Sequence, residues 1–500
     1  MLGRNRSEPA LFQYVNVEEL VPKNHFLRKV DAVLDLSFVR EAVAECYSTS
    51  RGRPSVDPEM ALKMMLLGYL YEIGDRELCD EIGMHIGMRW FLGLNLHDPV
   101  PDHSTLSKLR NERWAESGLF QQLFDKVVLQ CSEAGLVSGR HLSGDGTQMR
   151  ANASMQSLEP VIEAADPSGD AEDPSGDLGG STAQEQPAPA LEVVSGEAKE
   201  PQPRGGWKGH GVKYSNQTHR STSDPDARLY RKGKGKESKL SYLVHDLIDT
   251  KSRVILSRKV SEAHSSAERR VCIEMLDEVL AKQEVLGLPN RPEVISLDGG
   301  YGTGEMAAAL LDRDVLPHMP LQAGPEMEPV PTWKRPTYNL PQRRARDEKV
   351  RQARARNRVR ELQKTRGYQV SRRLRPRSEH TFAEAKTQHG MDRARVRGEP
   401  RVEVQALLTG AVQNLKRLAA FRGRRRPGGA QAVRSGRSAP HSQCLGARFR
   451  LRKRAPHAWR PHQRLPDCPV VPRWRPKPGG AAKCFRLSTS AGPTISSTPL

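Results

Sequence analysis

Few aromatic residues, no paired cysteines and no long apolar run mark this sequence, and each shortage removes a class of protein. Aromatics make up 5% of the 500 residues and the mean hydropathy is −0.64, so much of the chain stays out of any core. The seven cysteines (Cys46, Cys79, Cys131, Cys272, Cys444, Cys468, Cys484) are scattered, odd in number and never spaced as C-x-x-C. That pattern excludes a disulfide framework and a cysteine zinc site, and it predicts reduced thiols. The most apolar stretch, MALKMMLLGYLYEIG, is interrupted by Lys63 and too short to span a bilayer; no basic start leads into an apolar region. A cytoplasmic protein without membrane association is expected.

What is abundant is positive charge, and it is unevenly placed. The formal net charge is +20. Residues 421–500 hold 18 basic residues and one acid, Asp467; residues 334–377 hold 17 basic and 3 acidic groups; residues 151–206 hold 2 basic and 11 acidic ones. A local basic excess points to a polyanion such as nucleic acid. Two basic blocks flank one acidic residue, Glu379, in the run YQVSRRLRPRSEHTFAEAKTQHGMDRARVRG. Glu379 and Lys386 are seven apart, almost two helical turns, so a helix places both on one face with Phe382 and Ala383 between them. By spacing alone, Arg375 and Glu379 make an ordinary i, i+4 ion pair.

Upstream, residues 1–26 read as a short arm and 27–140 as helical. The turn RGRPSVDP launches a helix with Asp57 as N-cap, Pro58 at N1 and Glu59 in the first turn. The next helix, from about Arg76, carries Leu78, Ile82, Ile86 and the Trp90–Leu92 end on one apolar stripe. After LNLHDPVPDHS, the run STLSKLRNERW predicts a helix capped by Asp102 or Ser104, with Leu106 and Leu109 inward and Lys108, Arg110 and Arg113 exposed. It resembles the second helix of a helix-turn-helix, although any surface helix carries such charges. His97, Asp98, Asp102 and His103 mimic a metal cluster but read as a plain loop, since two prolines serve a turn there and no further ligands lie nearby.

From residue 140 the pattern changes. RHLSGDGTQMRA is strand-like, and 155–206, rich in Pro, Ser, Gly and acid with DPSGD twice, cannot bury a core and reads as a disordered insertion. LSYLVHDLIDT and RVILSRKVSEA form a hairpin about Lys251 and Ser252. A helix over SSAERRVCIEMLDEVLAKQEVLG follows, with Val271, Met275, Leu276, Val279 and Leu280 at helical spacing. EVISLD is a short strand ending at Asp298, GGYGTGEMAAALLDRD turns into a helix, and VLPHMPL is a last strand before the helix of Glu379. Early strands in succession and later strands alternating with helices exclude a pure Rossmann fold and suit an RNase H-like mixed sheet. GYGTG lacks the full G-x-G-x-x-G spacing and is not read as a dinucleotide loop.

Asp145 in the first strand, Asp298 at the end of a later one and Glu379 on a helix sit where such a sheet converges its functional groups. Separately, Asp145-Gly and Asp298-Gly are ordinary turn dipeptides. Together, three carboxylates can hold two divalent cations about 4 Å apart, the arrangement that phosphodiester cleavage uses.

The runs GDGTQMRANAS, NQTHRSTSDPDARLYRKGKGKESKLSY, LDGGYGTGE and the Glu379 segment, with RPSVDPEMALKMMLLGYLYEIGDREL and PDHSTLSKLR, resemble those of DDE transposases of bacterial insertion sequences, of the insertion-sequence-five type. The resemblance covers roughly residues 10–420. It implies an α+β protein: an all-helical DNA-binding domain at 1–138 and an RNase H-like catalytic domain at 139–422, which contains the insertion at 155–206 and the basic segment at 334–377. It implies Asp145, Asp298 and Glu379 as catalytic acids and ligands of Mg2+ or Mn2+. Arg375 and Lys386 would grip DNA phosphates, and Lys108, Arg110 and Arg113 would contact DNA from the helical domain. The implied partners are terminal inverted repeats and target DNA, with a homodimer in the active complex, in the cytoplasm at the nucleoid. Two positions depart from the pattern: Arg372 stands where the family often has tyrosine, with Tyr368 out of register, and LDGGY replaces a motif like ADKGY. Residues 423–500 read either as a disordered basic tail or as an out-of-frame extension. A decayed, non-catalytic DNA-binding copy is the alternative to an active enzyme.

Overall fold

Asp57 and Pro58 start the first long helix in the way their chemistry requires: the Asp57 carboxylate accepts the Glu59 N–H at 2.8 Å, and Pro58, lacking a donor, occupies N1. In the computed structural model, which describes residues 16–48, 52, 55–161, 214–231, 233, 235–264, 267–333 and 339–424, this helix belongs to an N-terminal helical series. The series comprises α1 (Val17–Leu20), α2 (Phe26–Asp31), α3 (Val39–Ala42), α4 (Pro58–Leu70), α5 (Asp75–Met84), α6 (Ile86–Leu92), α7 (His103–Lys108) and α8 (Leu119–Glu133). Residues 1–15, 162–213 and 425–500 lie outside the described residues, as do most of the acidic insertion and nearly all of the tail; of the expected arm at 1–26, residues 16–26 are described, and they hold α1 and the start of α2.

The single helix expected from Arg76 to Leu92 is two. The chain breaks at His85 (φ −100°, ψ 105°), whose imidazole accepts the Met88 N–H at 3.1 Å and caps α6. Glycines at 83 and 87 flank the break, and a Cβ on Gly87 would lie 3.0 Å from the His85 ring, so the close turn depends on that glycine. Leu78 and Ile82 are buried as the stripe predicts, but Ile86 is 39% exposed.

The sheet is built from β1 (His141–Arg150), β4 (Arg228–Tyr230), β5 (Lys239–Asp249), β6 (Ile255–Glu262), β7 (Val294–Ser296) and β8 (Leu316–His318). A separate pair, β2 (Leu158–Pro160) and β3 (His219–Ser221), closes the ends of the undescribed 162–213 stretch antiparallel. The strands lie in the order β6, β5, β1, β7, β8; β4 also pairs with the start of β5. β6, β5 and β1 are antiparallel, whereas β1, β7 and β8 are parallel. The parallel pairs need crossovers, and α9 (Ala267–Ala281) and α10 (Gly304–Leu311) supply them. Then come α11 (Leu340–Gln363), α12 (Arg366–Leu374), α13 (Pro376–Gln388) and α14 (Glu399–Arg424).

β5 is buried on both faces over almost its whole length, because helices cover both sides. On one side α9 comes close where β1 has no side chains: a Cβ on Gly144 would meet Cys272 Sγ at 3.2 Å and Leu297 at 2.8 Å. On the other side lie α13 and α14. The helical series and the sheet share one core, in which Leu62, Phe124, Leu142, Leu247, Leu276 and Leu415 all take part.

Across the α14 side runs one row of directly opposed residues: Asp145 on β1, Asp246 on β5 and Arg258 on β6. Arg258 and Asp246 form a bidentate pair at 2.6 and 2.7 Å with side chains 0% and 1% exposed. Arg258 also donates to the Ala406 carbonyl (3.2 Å) and Gln413 Oε1 (3.1 Å) of α14. Removing one partner leaves a buried, uncompensated charge. Arg258→Met should therefore cost about 3–5 kcal/mol in urea unfolding, and Arg258→Met with Asp246→Leu should recover most of that loss. A single-variant loss below about 1 kcal/mol would show that the pair does not organise the fold.

Candidate active site

Asp145 is a carboxylate in a place that disfavours its charge. Burial raises its pKa to about 6, and the charge of Asp298 pushes the same way; the Gly146 N–H, Ser378 and Arg375 oppose them. Its Oδ1 accepts the Gly146 N–H at 2.9 Å and its Oδ2 accepts the Ser378 hydroxyl at 3.2 Å. Ser378 thereby joins β1 to α13 one residue before Glu379. Its hydroxyl also reaches the Arg375 carbonyl at 2.9 Å.

Asp298 stands two residues past the end of β7 and caps a single 3-10 turn, Gly299–Tyr301, accepting the Gly300 N–H at 2.8 Å. The turn is fixed from outside: Gln322 donates to the carbonyls of Gly299 and Gly300, both at 3.2 Å. Here the GYGTG glycines find their purpose. A Cβ on Gly302 would fall 2.0 Å from the Pro320 carbonyl, and one on Gly304 2.1 Å from the Arg356 guanidinium. They permit close packing against the loop after β8 and against the Arg356 side chain of α11.

Arg375 stands between α12 and α13 in right-handed helical conformation (φ −50°, ψ −40°), so one helix leads into the next. Pro376 at N1 supplies no N–H and interrupts the ladder there. Arg375 Nη2 lies 3.4 Å from Glu379 Oε1, the i, i+4 pair that spacing alone predicts, and the Glu379 side chain is 56% exposed. Lys386 shares the helix but reaches inward, its ammonium donating to the Gln148 carbonyl of β1 at 2.6 Å. The site thus brings Asp145, Ser378 and Asp298 into mutual influence and leaves Glu379 turned to Arg375.

The residues expected to contact DNA from the helical series divide. Asp102 caps α7 through the Ser104 N–H at 2.8 Å, and Lys108 is exposed at its end. Leu109–Arg113 then form a π-helical turn, with exposed Arg113 over the Tyr47 ring at 4.9 Å. Arg110 corrects the expectation of exposure: the wider turn carries it inward, where it is 8% exposed and paired with Asp75 at 2.6 Å. The loop His97, Asp98, Asp102, His103 holds no metal-like grouping; Asp98 instead accepts the Asn95 N–H at 2.6 Å.

Two hard carboxylates, one destabilised by burial and by the other, suit a divalent cation, which relieves both terms. Asp145 and Asp298 fit that role by their chemistry. Among the described residues, no three His, Cys, Asp or Glu side chains stand close enough to share a metal. Sequence reasoning missed Ser378; its only signal was its place beside Glu379 on the helix face turned toward the sheet.

The sign of the Asp145 shift fixes a pH dependence. A folded pKa near 6, above the usual carboxylate value, means stability that is full at low pH and lost as pH rises through 6. Asp145→Asn should remove that loss, so the variant should be more stable than the parent at pH 7.5, by no more than about 3 kcal/mol, and nearly equal to it at pH 4. Thermal melts at the two pH values check this; a variant less stable at pH 7.5 contradicts the strain at Asp145.

Residues 15–112 match the family described as a transposase domain of the DUF772 type, and residues 200–415 match the transposase DDE domain. Asp298, Arg375, Glu379 and Lys386 fall inside the second match; Asp145 falls between the two. A crystal structure of a pre-cleavage Mos1 transpososome aligns at 9% identity over 65% of this chain and 81% of that one, with a TM-score of 0.15, too low to carry an argument. No curated protein matches the sequence. The two family matches support a DDE transposase.

Proposed function

We propose that this chain is a transposase of the insertion-sequence-five type that cuts the ends of its element by hydrolysis and joins the freed 3′-hydroxyls to target DNA. Asp145, Asp298 and Glu379 are its three carboxylates. The observation that carries the reading is the state of Asp145: a buried carboxylate raised to about pH 6, pressed by the charge of Asp298 and tied by Ser378 to the helix of Glu379. A structural aspartate gains nothing from that position, whereas perturbed carboxylates in proximity mark functional sites. The strand order β6, β5, β1, β7, β8, antiparallel then parallel, supports an RNase H-like sheet.

Asp145 and Asp298, joined by Glu379 once it leaves Arg375, would hold Mg2+ or Mn2+; the metal supplies activation of the attacking oxygen and neutralisation of the leaving one. Arg375, freed by the same movement, faces a phosphate. Lys386 steadies α13 against β1 through the Gln148 carbonyl. Lys108 and Arg113 offer exposed cations for the terminal inverted repeats, and Arg110 supports them from beneath through Asp75. Two ends must be processed together, so the active species is a homodimer on DNA, at the nucleoid in the cytoplasm. None of the helices among the described residues is long and apolar enough to cross a membrane.

One observation favours a second reading. Glu379 paired with Arg375 is also what a non-catalytic DNA-binding copy would retain. Purified protein with a labelled inverted-repeat end, in Mg2+ or EDTA, separates the two. The parent should cleave only with metal. Glu379→Gln should lower the rate by about a thousandfold, the equivalent of several kcal/mol of transition-state stabilisation, with binding retained. Cleavage that survives in the variant would sink the assignment, and binding without cleavage in the parent would favour the non-catalytic copy.

A further inference from the structure

The segment between β8 and α13 contains a helix whose outer side has one kind of charge. On α12, Tyr368, Ser371 and Leu374 face the protein, while Arg366, Gln369, Val370, Arg372 and Arg373 are exposed. No acidic residue occurs in α12, and none of Arg366, Arg372 and Arg373 has a salt bridge to a carboxylate among the described residues. Several arginines of α11, by contrast, have carboxylate partners: Arg351 with Asp312 and Glu348, Arg356 with Glu328, and Arg358 with Glu361.

The helix is also held in a fixed orientation. The Ser371 hydroxyl sits between two imidazoles, 2.6 Å from His318 Nδ1 on β8 and 3.1 Å from His141 Nε2 on β1. Tyr368 lies edge-on to His318, with ring centroids 5.8 Å apart. Burial lowers the pKa of both histidines, that of His318 to about 4, which favours their neutral, hydrogen-bonding forms. Three arginines on a rigid platform lose less freedom on meeting an anion than three on a loose loop. The same chain then passes through Arg375 into the helix of Glu379.

We infer that the outer face of α12, through Arg366, Arg372 and Arg373, is a phosphate-gripping surface for duplex DNA that holds the backbone beside the carboxylate site without reading sequence. A helix of about 14 Å spans a few phosphates of one strand, and contacts to phosphate carry no sequence information directly. The assignment rests on the transposase reading for what the DNA is brought to, but not for the binding itself.

The test uses the full chain and a fluorescent random-sequence duplex across a salt series, with Arg366→Gln/Arg373→Gln as the variant. Losing two phosphate contacts should reduce the salt slope of log affinity by about 2, equally for random duplex and for an inverted-repeat end. Arg366→Lys/Arg373→Lys should restore most of the slope, because it keeps the charge. Thermal melting should match the parent, since neither side chain is buried. An unchanged slope in a variant that melts normally overturns the inference, as does a loss confined to the inverted-repeat end or failure of the lysine variant to rescue. Weakened binding of single-stranded RNA with duplex DNA unaffected overturns it too. If the parent fails to cleave in Mg2+ while the slope falls as stated, the catalytic reading fails and this surface stands.

Discussion

A buried ion pair, Arg258 with Asp246, is the constraint on which the rest of this fold depends. Two full charges are removed from water, and such a pair holds only if both partners keep their geometry and the spare donors find acceptors. Those acceptors belong to α14, through the Ala406 carbonyl and Gln413. One interaction thus sets the spacing of β5, β6 and α14, and α14 in turn lies against α8, α4 and α2 of the helical series. The helical series and the sheet are therefore coupled through a polar contact as well as the apolar core.

Asp145 is next in the same row, yet it has no cation of its own at short range. Asp246 is neutralised by Arg258; Asp145 receives a peptide N–H, a serine hydroxyl and a more distant arginine. The contrast between adjacent positions gives the site its meaning. A sheet able to bury a matched aspartate could have matched this one too. Instead α13 approaches with Ser378, which satisfies an oxygen without cancelling the charge, while Arg375 lies at i, i+4 from Glu379 and pairs with it.

Much of this was legible in the sequence because it follows local chemistry. The β5–β6 hairpin, the stripe of α9, the Asp57–Pro58 helix start and the short strand before Asp298 all rest on patterns of a few residues, and they stand where expected. What was not legible depends on tertiary partners. The apolar stripe from Leu78 to Leu92 continues through His85, so periodicity gives no sign of the break, which the His85 cap on the Met88 N–H marks in the structure. Arg110 has the same sequence character as Lys108 and Arg113, and its burial is decided by Asp75, 35 residues earlier. α11 has so many arginines that no apolar face stands out, since small Ala353 and Ala355 with Val359 and Leu362 make the contact. At the site, the sequence shows three acids but not which of them is under electrostatic strain.

That strain has a direction. A carboxylate near pKa 6 is part protonated at neutral pH, and any ligand that favours its charged form must supply the energy that burial and Asp298 withhold. A proton does this weakly and an arginine would do it permanently. A divalent cation, if Asp145 takes one as proposed, would do it only when bound, so that cation occupancy and the charge on Asp145 would be linked, each raising the probability of the other. Glu379 is held the opposite way, in an exposed pair with Arg375 that contributes at most about 1 kcal/mol and gives way readily to a phosphate or a metal. The strong restraint lies on the inner acid, buried and pressed by Asp298, and the weak one on the outer, exposed beside Arg375.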